Sequence, residues 1–209
     1  MIDFTGERIV PQANNCEPHF AAKMYQEHIA RYTFASRFTS GRRVLDVGCG
    51  VGYGAQYLAQ NGARSVIAFD LSEEAIDHAR QYYAHPNVEF ITASATDFDF
   101  GRRFEVVTCF ELIEHVQEQN QVLRLIANAL EDDGVLIMST PRALDQKRTD
   151  FHTREFTAAE FRALLVAHFS VVSLYYENNH FSSLVARTMP SRIERILPMQ
   201  DAYSALSSE

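Results

Sequence analysis

The sequence predicts an α/β protein built on a parallel β-sheet. Short apolar runs of strand length alternate with longer segments of helical periodicity along most of the chain. The run Val44–Val47 leads into glycines at positions 48, 50, 52 and 54, and helix-forming residues follow directly. A second apolar run, Ser65–Asp70, ends in an acid. A glycine turn lets the backbone approach a ligand, and a helix N-terminus offers N–H groups, so we expect a nucleotide-type site where these strands end.

Composition narrows the possible functions. The 209 residues are 46% hydrophobic, enough for one full core, whereas the net charge of -8 argues against an extended nucleic-acid surface. Three cysteines, at positions 16, 49 and 109, form no Cys-x-x-Cys pair, which predicts reduced thiols and a cytoplasmic location. Residues 1–8 lack the apolar core of a signal peptide, and no segment reaches membrane-spanning length. We therefore expect a soluble protein.

The individual elements follow from apolar spacing and capping residues. Residues at helical spacing predict a helix over His19–Phe38, before the sheet. Ser72 is expected to cap a later helix, and Thr157 with Glu160 forms the pattern of a capping box. The remaining predicted elements are strands at Val88–Thr92, Phe104–Phe110 and Gly134–Pro141, helices at Val116–Leu130 and Ala158–Phe169, and a hairpin of Ser170–Tyr176 with Phe181–Thr188.

The glycines alone do not distinguish a dinucleotide from other ligands. A Gly-x-Gly-x-x-Gly fingerprint that starts at Gly48 fails at Tyr53, whereas one that starts at Gly50 ends acceptably in Ala55. Asp46, two residues before the first glycine, favours a different ligand because a carboxylate suits a cation and would repel a pyrophosphate. An NAD(P)-dependent oxidoreductase is therefore the weaker alternative.

The run Asp46-x-Gly48-x-Gly50-x-Gly52 resembles motif I of the class I S-adenosylmethionine-dependent methyltransferases. The resemblance implies a Rossmann-like fold with a seven-stranded sheet, an antiparallel last strand, and S-adenosyl-L-methionine as the cofactor. It covers residues 41–189 as the methyltransferase domain. Residues 1–40 would then be an N-terminal leader with a lid helix, and residues 190–209 a C-terminal tail.

Several residues are expected to contact the cofactor. A carboxylate at Asp70 can accept hydrogen bonds from both ribose hydroxyls, and Leu71 would pack on the adenine. The superfamily usually has an acid-alanine pair after the third strand, but here Ser94 stands at the acid position. The full set that the resemblance implies is Asp46, Gly48, Cys49, Gly50, Asp70, Leu71, Ser94, Ala95, Thr96 and Phe110.

The run after the fourth strand carries the candidate chemistry. If that run is helical, Glu111, Glu114 and His115 project from one face with the spacing of metal ligands. The run resembles the Glu-x-x-Glu-His motif of ubiquinone-biosynthesis O-methyltransferases and small-RNA 2′-O-methyltransferases. The resemblance implies a divalent metal, Mg²⁺ or Mn²⁺, and the RNA family suggests His152 as a further ligand. In the metal-free alternative, His115 is the general base, with Glu114 beside it.

The acceptor is the least determined part of the prediction. Phe4–Arg8, together with Glu27-His28 and Arg31-Tyr32, resembles the leader of methyltransferases associated with bacterial glycan assembly. This implies a sugar or glycan hydroxyl as acceptor. If the leader forms a lid, Arg31 or Tyr32 could reach the methionine carboxylate or an anionic substrate. A catechol- or quinone-type small molecule is the alternative, RNA comes third because of the acidic charge, and a non-catalytic cofactor-binding protein is the rival without chemistry.

Overall fold

The computed structural model describes residues 18–141, 143, 153–176 and 181–187. The leader motif Phe4–Arg8, the candidate ligand His152 and the tail 190–209 lie outside the described residues. The chain divides into two compact units, Met1–Ala95 and Thr96–Glu209, and the strands within each unit have their own pairing.

The first unit consists of helices and strands that alternate in sequence. Its elements are α1 (Pro18–Thr39), β1 (Arg43–Val47), α2 (Tyr53–Gln60), β2 (Ser65–Asp70), α3 (Glu73–Tyr82) and β3 (Val88–Thr92). Strand β2 pairs in parallel with β1 on one side and with β3 on the other. Its four central residues are buried, as expected for a strand between parallel neighbours. Helix α3 begins as predicted, because the Ser72 side chain accepts a hydrogen bond from the Ala75 N–H.

The second unit combines a parallel pair of strands with an antiparallel hairpin. Its elements are β4 (Phe104–Phe110), a single 3₁₀ turn (Ile113–His115), α4 (Gln119–Ala129), β5 (Leu130–Pro141), α5 (Ala158–Val166), β6 (Val171–Tyr176) and β7 (Phe181–Arg187). Strand β4 pairs in parallel with β5, and β7 pairs antiparallel with both β5 and β6. The capping box of Thr157 and Glu160 is present at the start of α5. The predicted α/β class is therefore confirmed.

The helix predicted over Val116–Leu130 is wrong at its start. Only a 3₁₀ turn follows β4, Val116 is extended, and α4 begins at Gln119. An α-helix that starts at Val116 would need the Val116 carbonyl to accept from the N–H four residues later. Val116 is instead extended, and its carbonyl accepts from the Thr153 hydroxyl at 3.3 Å. A contact from a segment distant in sequence therefore takes the place of the first helical hydrogen bond.

Three smaller findings bear on the remaining predictions. Strand β5 starts at Leu130, four residues before the predicted Gly134, and α5 ends at Val166 rather than at Phe169. Cys49 and Cys109 are buried thiols. In the part of the chain that the structure describes, no helix is both long and apolar enough to cross a bilayer.

Candidate functional site

The loop between β1 and α2 has a backbone that only glycine adopts readily. Gly48, Gly50 and Gly52 have φ angles of 72°, 54° and 93°, in the left-handed region. The N–H groups of Gly48 and Cys49 both donate to the Phe69 carbonyl on β2, at 2.9 Å each. The loop is thus fixed to the end of the neighbouring strand, with its backbone bare of side chains at three positions.

Two of the four alternating glycines make room for protein side chains rather than for a ligand. A Cβ at Gly52 would lie 2.5 Å from the Ala79 Cβ on α3. A Cβ at Gly54 would overlap the Tyr32 ring on α1. The glycine pattern therefore encodes helix packing as well as close approach of a ligand.

Asp46 lies beneath this loop and is in contact with helix α1. Its side chain is 1% exposed, and the Tyr32 hydroxyl donates to its two carboxylate oxygens at 3.3 and 3.1 Å. Burial, and then the Asp46 charge, raise the pKa of Tyr32 well above its ordinary value, so the phenol remains a donor. Tyr32 therefore contacts Asp46, the acid predicted at the cofactor site. That Arg31 or Tyr32 reaches the methionine carboxylate or an anionic substrate stays a prediction.

A second contact joins α1 to the start of α2. The Tyr53 hydroxyl and His28 Nδ1 are 3.0 Å apart, and the Arg31 side chain is fully buried nearby. Burial, reinforced by the Arg31 charge, lowers the pKa of His28 well below its ordinary value. Burial also raises the pKa of Tyr53, so a neutral imidazole and a neutral phenol face each other beside a permanent cation.

Asp70 and Leu71 lie at the end of β2, and their contacts to a nucleoside stay predictions. Asp70 Oδ2 accepts from the Gly50 N–H and Oδ1 from the Ser72 N–H, both at 2.9 Å. A carboxylate oxygen can accept more than one hydrogen bond, so these two bonds do not by themselves prevent a contact to a ribose. Leu71 is 74% exposed, which leaves a large apolar side chain in solvent beside that carboxylate.

The other predicted cofactor contacts have less distinctive surroundings. Ser94 and Ala95 are partly buried and follow β3 in the first unit. In the second unit, the Thr96 carbonyl accepts from Gln121 Nε2 at 3.3 Å, and Phe110 is buried at the end of β4. Their contacts to a cofactor stay predictions.

In the second unit, the residue after β4 has an unusual backbone. Glu111 has φ = 50°, and it is the non-glycine residue with positive φ among those described. Its N–H donates to the Ser139 carbonyl at 3.1 Å, and the Ser139 hydroxyl donates to Glu111 Oε1. The backbone N–H and the side-chain carboxylate of Glu111 are therefore both bonded to Ser139 on β5.

Glu114 is held at its side chain and at its backbone. The carboxylate is 1% exposed, and Oε2 accepts from the Thr140 hydroxyl at 3.0 Å. The carbonyl accepts from the Thr153 N–H at 2.8 Å and from the Thr153 hydroxyl at 2.7 Å. Oε1 lies 3.9 Å from His115 Nε2, and the His115 side chain keeps 23% of its surface exposed. A buried acid therefore lies next to an accessible imidazole.

The predicted three-residue metal cluster does not form among the described residues. Successive side chains of a strand point to opposite faces, so the hydroxyls of Ser139 and Thr140 hold the Glu111 and Glu114 carboxylates in different directions. Within the described ranges, no group of three or more His, Cys, Asp or Glu side chains could hold a metal ion. The predicted convergence assumed a regular helical turn, and the 3₁₀ turn does not provide it.

Ser139, Thr140 and Thr153 are the residues of this site that the sequence reasoning missed. All three are hydroxyl residues that contact the Glu-x-x-Glu-His run from 26 to 39 positions away in sequence. The sequence did offer one indication of these contacts. Two hydroxyl residues end the predicted strand β5, which pairs with β4, the strand before the Glu-x-x-Glu-His run.

Comparisons with known proteins identify the family of this chain. A family model described as a methyltransferase domain matches residues 19–186. A Mycobacterium tuberculosis protein named as an S-adenosylmethionine-dependent methyltransferase is 34% identical over 173 residues, which are 79% of this chain and 60% of that relative. A ubiquinone biosynthesis O-methyltransferase of Neisseria meningitidis is 38% identical over 105 residues, 48% of this chain and 44% of that enzyme. The chain thus spans less than two thirds of the length of either relative.

Solved structures give the same result for the fold. An S-adenosylmethionine-dependent methyltransferase from Mesorhizobium loti matches with a TM-score of 0.60 at 17% identity, over 73% of this chain and 95% of that structure. At this identity the likeness concerns the fold alone, and it supports the Rossmann-like α/β class.

Proposed function

Because this chain belongs to the class I S-adenosylmethionine-dependent methyltransferases, we propose that it transfers the methyl group of S-adenosylmethionine to a hydroxyl oxygen. When bound, that cofactor supplies an activated sulfonium methyl group. The contribution of the protein is then to bind the nucleoside, to orient an acceptor oxygen and to remove its proton.

The first unit fits the nucleoside half of the cofactor. The loop at Gly48–Gly50 lets the backbone approach closely, and the Asp70 carboxylate retains acceptor capacity for the two ribose hydroxyls. The exposed Leu71 side chain offers an apolar face for the adenine. Asp46 acts from beneath the loop, as a buried negative charge that favours a cationic methionine end.

The observation that carries the proposed chemistry is the Glu114–His115 pair. His115 is partly exposed, so an acceptor can reach it, and Glu114 is a buried carboxylate 3.9 Å from Nε2. In the proposed step, the His115 imidazole accepts the hydroxyl proton while the oxygen forms its bond to the methyl carbon and the carbon–sulfur bond breaks. The Glu114 carboxylate stabilises the imidazolium that results.

The acceptor that we propose first is a sugar or glycan hydroxyl. Its support is the sequence motif at Phe4–Arg8 with Arg31-Tyr32, of which the first part lies outside the described residues. A phenolic, catechol-type acceptor is the second candidate. Its support is the 38% identity to a ubiquinone biosynthesis O-methyltransferase over 105 residues.

Metal assistance does not fit the described residues, so no step is assigned to a metal. A dedicated site would need the Glu111 and Glu114 carboxylates to converge, and their hydroxyl partners hold them apart. Exhaustive chelation provides the test. We expect turnover to survive it, whereas loss of turnover with recovery on adding Mg²⁺ or Mn²⁺ would restore the metal hypothesis.

Two further expectations belong to the same proposal. The strands are proposed to follow the seven-stranded class I pattern with an antiparallel last strand, supported by the antiparallel pairing of β7 with β5 and β6. A cytoplasmic location is proposed from the cysteine pattern, supported by the buried thiols of Cys49 and Cys109.

The decisive experiment is a methyl-transfer screen with labelled S-adenosylmethionine. The panel comprises sugar nucleotides, glycans and catechols, each with and without chelator, next to calorimetric titration with S-adenosylmethionine and with NAD. We expect S-adenosylmethionine binding and transfer to one hydroxyl class. Binding of NAD without S-adenosylmethionine would overturn the proposal.

A further inference from the structure

We propose that Thr140 is a positioning residue for the acceptor base, acting through Glu114 on His115. This inference rests on the proposed function, because it assigns a role relative to the proposed base. It concerns a side chain that contacts neither the reacting atoms nor the cofactor in the proposed reaction.

The buried Glu114 carboxylate is positioned by a hydroxyl on the neighbouring strand. Thr140 is fully buried at the carboxyl end of β5, and its hydroxyl donates to Glu114 Oε2 at 3.0 Å. The two oxygens of a carboxylate are rigidly linked, so a donor that fixes Oε2 also fixes Oε1. Oε1 is the atom 3.9 Å from His115 Nε2. The Thr140 hydroxyl therefore sets where the negative charge faces the imidazole.

The Thr140 hydroxyl restricts rotation of the Glu114 side chain. The backbone of Glu114 is already fixed, because its carbonyl accepts from the N–H and the hydroxyl of Thr153. Only rotation of the Glu114 side chain is left to place the carboxylate. A hydrogen bond from the next strand stops that rotation, and it also satisfies a charged oxygen that is 1% exposed.

The position of the Glu114 carboxylate affects the tautomer of the His115 imidazole. A carboxylate near Nε2 favours the neutral tautomer that carries its proton on Nε2, so the proton of the acceptor is taken at Nδ1. Without the Thr140 hydroxyl, the carboxylate loses its fixed position and the tautomer preference returns toward that of an imidazole in water. The expected cost is about tenfold in kcat, the equivalent of one net hydrogen bond, with no change in cofactor affinity.

Nitrogen-15 NMR of the imidazoles tests this without an acceptor or turnover. The full chain is labelled at histidine, and the two ring-nitrogen shifts of His115 are compared at one mildly alkaline pH. We expect wild type and Thr140→Ser to show one Nε2-protonated tautomer, and Thr140→Val to show a mixture. If Thr140→Val does not fold, Thr140→Ala takes its place. Glu114→Gln should reproduce the mixture, and adding Thr140→Val to it should change nothing further.

Ser139→Ala is the matched control for the NMR measurement. It removes the adjacent hydroxyl–carboxylate contact on the opposite face of β5, so the His115 shifts should stay as in wild type. Equal shifts in Thr140→Val and Ser139→Ala, or no shift in Thr140→Val, would overturn the inference. Absence of methyl transfer in the acceptor screen would defeat the proposed function separately, since the NMR result does not depend on it.

Discussion

The binding loop of the first unit and the Glu-x-x-Glu-His run of the second unit are both short motifs at strand ends, but they are built differently. The loop at Gly48–Gly52 owes its form to its own residues, because positive φ angles are encoded by glycine itself. The run at Glu111–His115 owes its form to hydroxyls and N–H groups that lie 26 or more positions away. The conformation of a motif can be predicted from its own sequence when its own residues determine the backbone. It cannot be predicted in this way when contacts with distant residues position the side chains.

The largest expected effect tests whether chemistry resides in the second unit. Replacement of His115 by Asn should lower kcat by about 10²- to 10⁴-fold, the range for loss of a general base, and leave S-adenosylmethionine affinity unchanged. Steady-state kinetics with the acceptor from the screen, and calorimetric titration of the cofactor, measure the two quantities. His168→Gln is the matched control, because His168 pairs with Asn120 elsewhere in the same unit. Unchanged kcat in His115→Asn would show that His115 is not the general base.

The next effect tests whether cofactor binding resides in the first unit. Asp70→Asn should weaken S-adenosylmethionine binding by roughly 10- to 150-fold, because hydrogen bonds to a charged group contribute about 1.5–3 kcal/mol. The measurement is the dissociation constant by calorimetry. Asp77→Asn, an exposed acid on α3 that pairs with Arg80, should bind like wild type. Equal affinity in both variants would remove Asp70 from the nucleoside site.

These two variants also show how far the sequence alone leads. The bounds of β2, β3 and β4 were predicted correctly because each is an apolar run between turn residues, and local pattern decides such strands. Asp70 was predicted from its place at a strand end. The start of α4 was not, because Val116 is extended and its carbonyl accepts from the distant Thr153 hydroxyl. The partner of Asp46 was equally hidden, since nothing local indicates that Tyr32 reaches it.

A third, smaller effect tests the packing role of the glycine pattern. Alanine at position 54 should favour helix α2 by about 0.5–1 kcal/mol from propensity alone. We expect net destabilisation of about 1–3 kcal/mol instead, because the new Cβ would overlap the Tyr32 ring. Chemical denaturation measures the free energy of unfolding. In a Tyr32→Ala background the same change should turn stabilising, and a penalty that persists there would contradict the packing explanation.

The smallest effect concerns pH and the contact between His28 and Tyr53. Burial and the Arg31 charge lower the pKa of His28, so the unfolded chain takes up its proton more readily than the folded one. Its contribution should be neutral above pH about 6.5 and destabilising below it, by at most about 1.4 kcal/mol per pH unit. The control is His28→Asn, which cannot titrate there. Thermal unfolding of both proteins across that range should diverge on the acidic side, and parallel curves would contradict the assignment.

Tyr32 packs on Gly54 and donates a hydrogen bond to Asp46, and these contacts affect where a shortened protein can begin. Helix α1 supplies the Tyr32 ring that packs on Gly54 of α2, and the hydroxyl of that ring donates to the Asp46 carboxylate. A protein shortened to start at β1 would keep all four glycines. It would lack the Tyr32 donor to Asp46, a residue that is only 1% exposed in the intact chain. We therefore expect residues 18–39 to be needed for the stability of the glycine loop, so that the loop and the helix before it must be kept together in any shortened protein.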